Sequence, residues 1–379
     1  MPVKRSAKSE IPELKGLQTN ENPNLYRTKA FPFVSEGSVY CFGLREYLVK
    51  PSIFLGESAI SFLLALKSGN VYGLTCGDKC HLFYFHSGFG VAHVGPVSES
   101  PCTGGALLRI GDAQILGGWY GDGGGGLFRH DITAETGQGM EQFRGSKTAI
   151  EFLTLPDGCG GVAALAGPVN GIAYAVCTPD DALVAIDCAS GKTDIVARVA
   201  GAVPLLVAMP DGRLIGAFAE GQLWEYSPDE GRLTPLDAYA PSQKGKRYVA
   251  GVQSLILADD GLLYGGTSVD GYLFSYDTKT GVVANLGKPN RQSNIRALAQ
   301  GYDGCIYGLV GEKEGLTHLF RYEPAQGFTD LGMLGSAFPE NWTAHSLGAM
   351  SVGPNGEIFI GESDDISHLF VYYPPIRKQ

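Results

Sequence analysis

Residues 261–287 decide the fold, and they read GLLYGGTSVDGYLFSYDTKTGVVANLG. Apolar and polar residues alternate here with a period of two, which predicts short strands rather than a helix. The predicted strands are 262–265, 272–276 and 282–286. Asp270-Gly271 is typical of a tight turn between two of them, and residues 252–257 predict a fourth strand just before. Four antiparallel strands make one small sheet, which cannot bury both of its faces alone.

The same pattern recurs along the chain. The second strand of each unit carries an aromatic or aliphatic residue followed by a small or apolar one. These steps are Tyr72-Gly73, Leu116-Gly117, Tyr174-Ala175, Ile215-Gly216, Tyr264-Gly265, Tyr307-Gly308 and Phe359-Ile360. The third strand begins each time with leucine, at Leu82, Leu127, Leu183, Leu223, Leu273, Leu319 and Leu369. Units of this kind, about 40 to 60 residues apart with four strands each, are typical of propeller blades.

We therefore predict an all-β fold, a seven-bladed β-propeller of four-stranded antiparallel blades over residues 51–375. Residues 1–50 are predicted to form an N-terminal arm and a segment that covers one end of the ring. The seventh unit leaves too few residues for its own outer strand, whereas a matching outer strand occurs before the first unit, at 52–56. An N-terminal strand is thus predicted to complete the last blade, which removes the exposed edge of an open sheet.

Composition excludes some classes of partner. The formal net charge is −10 and the isoelectric point is near 5.2, so we expect neither nucleic acid nor an acidic membrane as a partner. The first 20 residues lack the apolar core of a signal peptide, which favours a cytoplasmic protein and leaves a secreted mature form open. Cys177, Cys188 and Cys305 fall within or at the ends of strand patterns, where cysteine is usually a small buried residue, and the even count of eight does not indicate disulfides in a chain of this length. The oligomeric state stays open.

Three histidines occupy one position in three different units. His81, His318 and His368 each come directly before the leucine of the third strand. Strands lie about 4.8 Å apart, which puts equivalent positions of neighbouring blades roughly 10 Å apart. That separation is too large for one shared metal ion, so no metal ligand is predicted among them. Each histidine is expected either to contact a ligand or to bond within its own blade. A divalent metal elsewhere stays open, and no motif indicates an organic cofactor.

Other candidates lie in loops that a propeller presents on one face, namely the loops between blades and those between second and third strands. His345, just before the last unit's first strand, is placed for proton transfer, and Trp342 lies in the same loop. The basic and polar candidates of the loops before units five and six are Lys244, Lys246, Arg247, Tyr248, Arg291, Asn294 and Arg296. Trp119 and Tyr120, in a glycine-rich stretch, could stack on a sugar ring. Each candidate also has a structural alternative. His345 could bond to the backbone, the basic residues could lie in solvated loops, and the aromatic residues could pack within the protein. The acidic turn at 361–368 is predicted to be solvated.

The seven copies resemble the β-propeller superfamily, and the chain is similar to bacterial propeller polysaccharide lyases and glycosidases and to the streptogramin lyase group. The resemblance implies a small-molecule or glycan ligand on one ring face. We hypothesise a carbohydrate-active lyase on a uronic-acid-containing glycan. Arg247 and Arg296 would neutralise the carboxylate, His345 or His81 would be the base and Tyr248 the acid. The alternatives are a non-catalytic propeller that binds a protein or glycan, and a metal-dependent hydrolase or lactonase.

Overall fold

The computed structural model describes residues 34–44, 57–87, 90–132, 150–243, 251–312, 315–338, 341–364 and 367–376. The predicted outer strand at 52–56 and most of the N-terminal arm lie outside these ranges. No helix long and apolar enough to cross a membrane occurs in the part of the chain that is described.

The described strands form seven antiparallel blades. The strands of blades one to four are β2 (Glu57–Ala65), β3 (Val71–Gly77), β4 (Cys80–His86) and β5 (Gly90–Ser98); β6 (Cys102–Ile110), β7 (Gln114–Tyr120), β8 (Gly126–Asp131) and β9 (Glu151–Leu153); β10 (Val162–Val169), β11 (Ile172–Cys177), β12 (Ala182–Asp187) and β13 (Thr193–Arg198); and β14 (Ala202–Ala208), β15 (Leu214–Phe218), β16 (Gln222–Ser227) and β17 (Arg232–Tyr239).

The remaining three blades follow the same order. Their strands are β18 (Val252–Leu257), β19 (Leu263–Thr267), β20 (Leu273–Asp277) and β21 (Val282–Gly287); β22 (Ile295–Gln300), β23 (Ile306–Val310), β24 (His318–Glu323) and β25 (Gly327–Met333); and β28 (Leu347–Val352), β29 (Ile358–Glu362), β30 (His368–Tyr373) and β1 (Ser38–Gly43). A short hairpin of β26 (Gly335–Ser336) and β27 (Trp342–Thr343) connects blades six and seven.

The first strands of the blades make a closed ring. Contacts run from β2 to β6, β10, β14, β18, β22 and β28, and from β28 back to β2. Each first strand is therefore innermost, with the second, third and outer strands following outward. The predicted seven-bladed all-β propeller is confirmed, and the strands predicted over 252–287 are those of blade five within one or two residues.

Ring closure uses a different N-terminal strand from the one predicted. β1 pairs antiparallel with β30, so that Cys41 lies opposite Phe370. The chain just before β1 also bonds to blade six, through Val34 N to Met333 O at 3.0 Å. Ser38–Gly43 thus supplies the closing strand, although it belongs to residues 1–50, which were predicted to form an arm and a segment covering one end of the ring. The reason is the alternation in β1, whose Cys41 is fully buried against the seventh blade.

A glycine beneath an aromatic ring explains the repeated sequence step. In five blades the glycine of the second strand is the cross-strand partner of the aromatic residue in the third. The pairs are Gly73–Phe83, Gly117–Phe128, Gly216–Trp224, Gly265–Phe274 and Gly308–Phe320. A Cβ added at Gly265 would lie 2.2 Å from the ring of Phe274. The ring occupies the volume of the missing side chain, so the glycine and the aromatic residue recur together.

In blades five and six, the tyrosine before the glycine points to the opposite side of the sheet and is anchored there. The hydroxyl of Tyr264 donates to Asp260 Oδ2 at 2.8 Å, and that of Tyr307 donates to Asp303 Oδ2 at the same distance. In both blades the aspartate lies four residues earlier, in the turn that joins the first and second strands. A buried tyrosine usually finds a partner for its hydroxyl, and here that partner also fixes the turn.

We predict that Gly265→Ala destabilises the protein by about 1–3 kcal/mol, because the methyl group would overlap the Phe274 ring. Blade three carries Ala175 opposite Val184 at the equivalent place. The double variant Gly265→Ala with Phe274→Val copies that pair and should recover most of the lost stability. Denaturant unfolding of the wild type, both single variants and the double variant measures this. Additive losses in the double variant would contradict the pairing.

Candidate functional site

Most of the predicted site residues collect at one end of the ring. Because strands alternate in direction, the loops that enter first strands and the loops that leave second strands lie at the same end, which we call the entry face. His81, Trp119, Trp342 and His345 lie in or beside these loops, as do His318, His368, Arg291, Asn294 and Arg296. Lys244, Lys246, Arg247 and Tyr248 lie outside the described residues.

Arg296 projects from a bulge in the first strand of blade six. Ile295 pairs with Val310 and Ala297 with Leu309, so that Arg296 between them has no cross-strand partner. In a bulge of this kind, the side chain of the unpaired residue points in a different direction from the one it would have in a regular strand. The side chain of Arg296 turns towards blade seven and packs over Gly348, where a Cβ would lie 3.3 Å from Arg296 Nη2. A glycine at 348 thus leaves room for the guanidinium.

The guanidinium of Arg296 is held by hydroxyls rather than by a carboxylate. Nη1 donates to Ser346 Oγ at 2.6 Å and Nη2 to Ser363 Oγ at 3.1 Å, and the two hydroxyls lie 3.0 Å apart. Burial lowers the pKa of Arg296, and among the described residues no acidic group offsets this effect. Arginine stays protonated even so. A half-buried cation with only neutral partners is suited to bind an anion, and its fork matches a carboxylate.

His345 lies next to this arginine. It directly precedes Ser346, which accepts the hydrogen bond from Arg296, and its backbone oxygen accepts from Thr317 N at 3.0 Å. The backbone of His345 is thus fixed to the loop before the third strand of blade six, while its side chain is exposed. The structure therefore places Arg296 and the backbone of His345 at the same interface, between blades six and seven.

A buried carboxylate organises the loops beside them. Glu362 is fully buried at the end of β29 and accepts from the indole of Trp342 at 2.9 Å and from Nδ1 of His368 at 2.7 Å. The indole and imidazole rings stack, with centroids 4.3 Å apart and planes inclined by 21°. Burial raises the pKa of Glu362 despite these two donors. The prediction of a solvated acidic turn at 361–368 is wrong for Glu362, which joins the loop of Trp342 to blade seven.

The three equivalent histidines each bond within their own blade. His81 Nδ1 lies 2.6 Å from His93 Nε2, and His318 Nδ1 lies 2.9 Å from Asp330 Oδ1. Together with the pair of His368 and Glu362, these contacts follow the local alternative rather than a shared site. In the described ranges, no three His, Cys, Asp or Glu side chains are grouped so that they could hold a metal ion.

The other predicted residues are placed as follows. Asn294 braces two loops, because its Oδ1 accepts from Val269 N at 2.7 Å and its Nδ2 donates to Glu312 at 2.9 Å. Arg291 is exposed on the loop that enters blade six.

The ring of Trp119 lies beside those of Phe128 and Phe152 within blade two, with ring centroids 6.3 and 5.8 Å away. Burial raises the pKa of Tyr120. Packing inside the blade thus accounts for Trp119.

Sequence reasoning missed the groups that hold Arg296. Ser346, Ser363 and Gly348 belong to no motif, and Ser363 is 67 residues from its partner. A signal for the arginine itself does exist in the repeat. Arg296 stands two residues before Leu298, the residue opposite the glycine of the second strand, and the same offset marks a one-residue bulge in six of the seven blades.

We predict that His93 makes the fold sensitive to acid. Burial, and then the proximity of His81, lowers the pKa of His93 from 6.5 to about 4. The folded state therefore binds this proton less readily than the unfolded state, and the stability contributed above pH 6.5 is lost as the pH falls towards 4. His93→Gln should reduce the difference between the free energies of unfolding at pH 7 and pH 4.5. An unchanged difference would contradict this prediction.

We predict that Glu362→Leu destabilises the protein by about 1–3 kcal/mol, because the donors of Trp342 and His368 would lose their acceptor in a buried site. Glu362→Gln keeps an acceptor oxygen and should lose less. The exposed Glu230 provides the control, and Glu230→Leu should change stability by no more than about 0.5 kcal/mol. Denaturant unfolding measures all three. Equal stability of the Leu and Gln variants would contradict a role for the accepted hydrogen bonds.

The chain matches no protein-family model and no curated protein sequence. Its fold is nevertheless found among solved structures. A catalytically inactive variant of virginiamycin B lyase from Staphylococcus aureus, solved with quinupristin, is similar with a TM-score of 0.66 and 10% identity over 89% of this chain and 100% of that one. The WD40 propeller domain of Doa1 is similar with a TM-score of 0.56 and 15% identity over 83% of this chain and 92% of that one.

An extracellular domain shares the fold as well. The extracellular domain of the one-component system BT4673 from B. thetaiotaomicron is similar with a TM-score of 0.60 and 16% identity. The match covers 88% of this chain but only 40% of that domain. These neighbours include a lyase, an extracellular domain and a WD40 domain. At such identities the likeness establishes a β-propeller and leaves the function to be argued from the site.

Proposed function

We propose that the protein binds a uronic-acid residue of a glycan on its entry face and cleaves the glycan by β-elimination. The observation that carries the proposal is Arg296, a half-buried cation whose described partners are the hydroxyls of Ser346 and Ser363. Those hydroxyls orient the guanidinium without neutralising it. A carboxylate that approaches from the channel would supply the missing negative charge and accept a forked pair of hydrogen bonds.

The same arrangement suits the chemistry of elimination. Pairing with Arg296 neutralises the uronate carboxylate, which makes the proton on the adjacent carbon more acidic. His345 takes that proton, the electron pair of the C–H bond forms the new C=C bond, and the glycosidic oxygen on the next carbon leaves with its bonding pair. That oxygen then takes up a proton from an acid, the role predicted for Tyr248. Arg247 would add a second cation. Proximity of cation and base is what this step needs.

Binding without turnover is the second candidate. It is favoured by the state of the other histidines, because His81, His318 and His368 are engaged by His93, Asp330 and Glu362. His345 is thus the predicted base that stays exposed in the described part of the entry face. A non-catalytic propeller would need Arg296 for the carboxylate but would have no requirement for His345.

We predict that uronate oligomers give an unsaturated product with the wild type, detected by the ultraviolet absorbance of the conjugated uronate. Arg296→Gln should weaken binding by about ten- to a hundredfold, the effect of losing a hydrogen bond to a charged group. His345→Ala should abolish product while leaving binding and the melting temperature nearly unchanged. Calorimetric titration and the absorbance assay measure the two effects separately.

The control is Arg232→Gln, which removes the same charge from an exposed arginine at the start of β17, at the opposite end of the ring. It should change neither binding nor turnover. Binding without product in the wild type would favour the non-catalytic candidate. Failure of every acidic oligomer to bind, or binding that is insensitive to Arg296→Gln, would overturn the proposed function.

A further inference from the structure

The bulge that carries Arg296 recurs around the ring. In six of the seven first strands, one unpaired residue lies two residues before the residue opposite the second strand's small or apolar residue. In blade four the same position lies in a stretch of three unpaired residues, 203–205. The residues at this position, in order of blades, are Ser61, Gly105, Ala163, Pro204, Gln253, Arg296 and Gly348. Since the first strands line the channel, these seven residues form a ring at its entry-face end. We call it the bulge ring.

The bulge ring is strongly asymmetric. Three of its members have no side chain larger than a methyl group, and Ser61 donates its hydroxyl to Leu74 O in its own blade at 3.1 Å. Long polar side chains occur in adjacent blades, as Gln253 in blade five and Arg296 in blade six. Pro204, in the blade before them, is exposed and apolar. One side of the channel mouth therefore carries the amide of Gln253, the guanidinium of Arg296 and the ring of Pro204. The other side carries only small residues.

The strands that carry Gln253 and Arg296 are joined by a hydrogen bond between neighbouring residues. Ser254 Oγ, one residue after Gln253, donates to the backbone oxygen of Ile295, one residue before Arg296, at 2.8 Å. Gln253 is exposed although both of its neighbours in the chain are buried. An innermost strand meets solvent along the channel and at its ends, so the amide faces the channel mouth. Among the described residues it has no hydrogen-bond partner.

We infer that Gln253 is a specificity-determining residue that contacts hydroxyl groups of the ligand whose carboxylate is bound by Arg296. An amide offers both a donor and an acceptor, which matches a sugar hydroxyl, and a carboxylate would be drawn to the adjacent guanidinium instead. The inference rests on the proposed function, because it assigns the groups next to the uronate carboxylate. It adds that hydroxyl recognition comes from blade five and charge recognition from blade six.

Two probes separate these contributions. Trigalacturonate carries both carboxylates and hydroxyls, whereas tetrahydropyran-2-carboxylate carries the ring and the carboxylate alone. Gln253→Ala should weaken binding of trigalacturonate by about three- to tenfold, the effect of a net hydrogen bond, and leave binding of the second probe unchanged. Arg296→Gln should weaken both. Gln326→Ala, in a turn of blade six at the opposite end of the ring, is the matched control and should affect neither.

A thermodynamic cycle without ligand tests the placement of Gln253. Gln253→Glu should raise the melting temperature when Arg296 is present, because the new carboxylate would meet the guanidinium, and should not raise it in the Arg296→Gln background. Absence of this coupling overturns the inference. So does loss of trigalacturonate binding on Arg296→Gln without any effect of Gln253→Ala. If neither probe binds the wild type, the proposed function fails and the cycle alone decides whether Gln253 faces Arg296.

Discussion

The packing of an aromatic ring onto a glycine across two strands is the constraint on which the blade depends. It occurs in five of the seven blades with the same register. A bare glycine costs backbone entropy in a strand, and the ring that covers it restores the contact area that a side chain would have supplied. Because glycine has no Cβ, the ring lies against the backbone, so one face of the sheet stays flat enough for the next blade to pack on it.

That constraint also locates the bulges at the entry face, where the proposed site lies. In each first strand, the residue opposite the second strand's small or apolar residue is a leucine in six blades and Met350 in the seventh. In six blades a one-residue bulge comes two residues earlier. The core position and the bulge are thus tied together along the chain. A change in the identity of the bulged residue alters the channel mouth without altering the core. A repeated fold can in this way carry one unique site, as Arg296 illustrates.

The architecture could be predicted from the sequence because it depends on local patterns that repeat. Strand alternation, turn residues and unit spacing are all visible within one blade. The closing strand was misassigned, because 52–56 matched the repeat whereas the true strand at Ser38–Gly43 is identified by a partner more than 300 residues away. The prediction of a solvated turn was wrong for Glu362 for a related reason. Its acidic surroundings suggest a solvated turn, and its burial depends on Trp342 and His368, which other loops and strands bring to it.

The proposed site and the ring closure use the same pair of blades. Before entering blade seven as β1, the N-terminal segment bonds to the outer strand of blade six, and Glu36 accepts from the buried Arg321 at 2.6 Å. At the entry face, Arg296 spans from blade six to Ser346 and Ser363 of blade seven. The interface is thus bridged at its outer edge by the closing segment and near the channel by the arginine. Two neutral hydroxyls hold the guanidinium of Arg296 less strongly than a carboxylate would. The position of the guanidinium therefore depends on blades six and seven being held together.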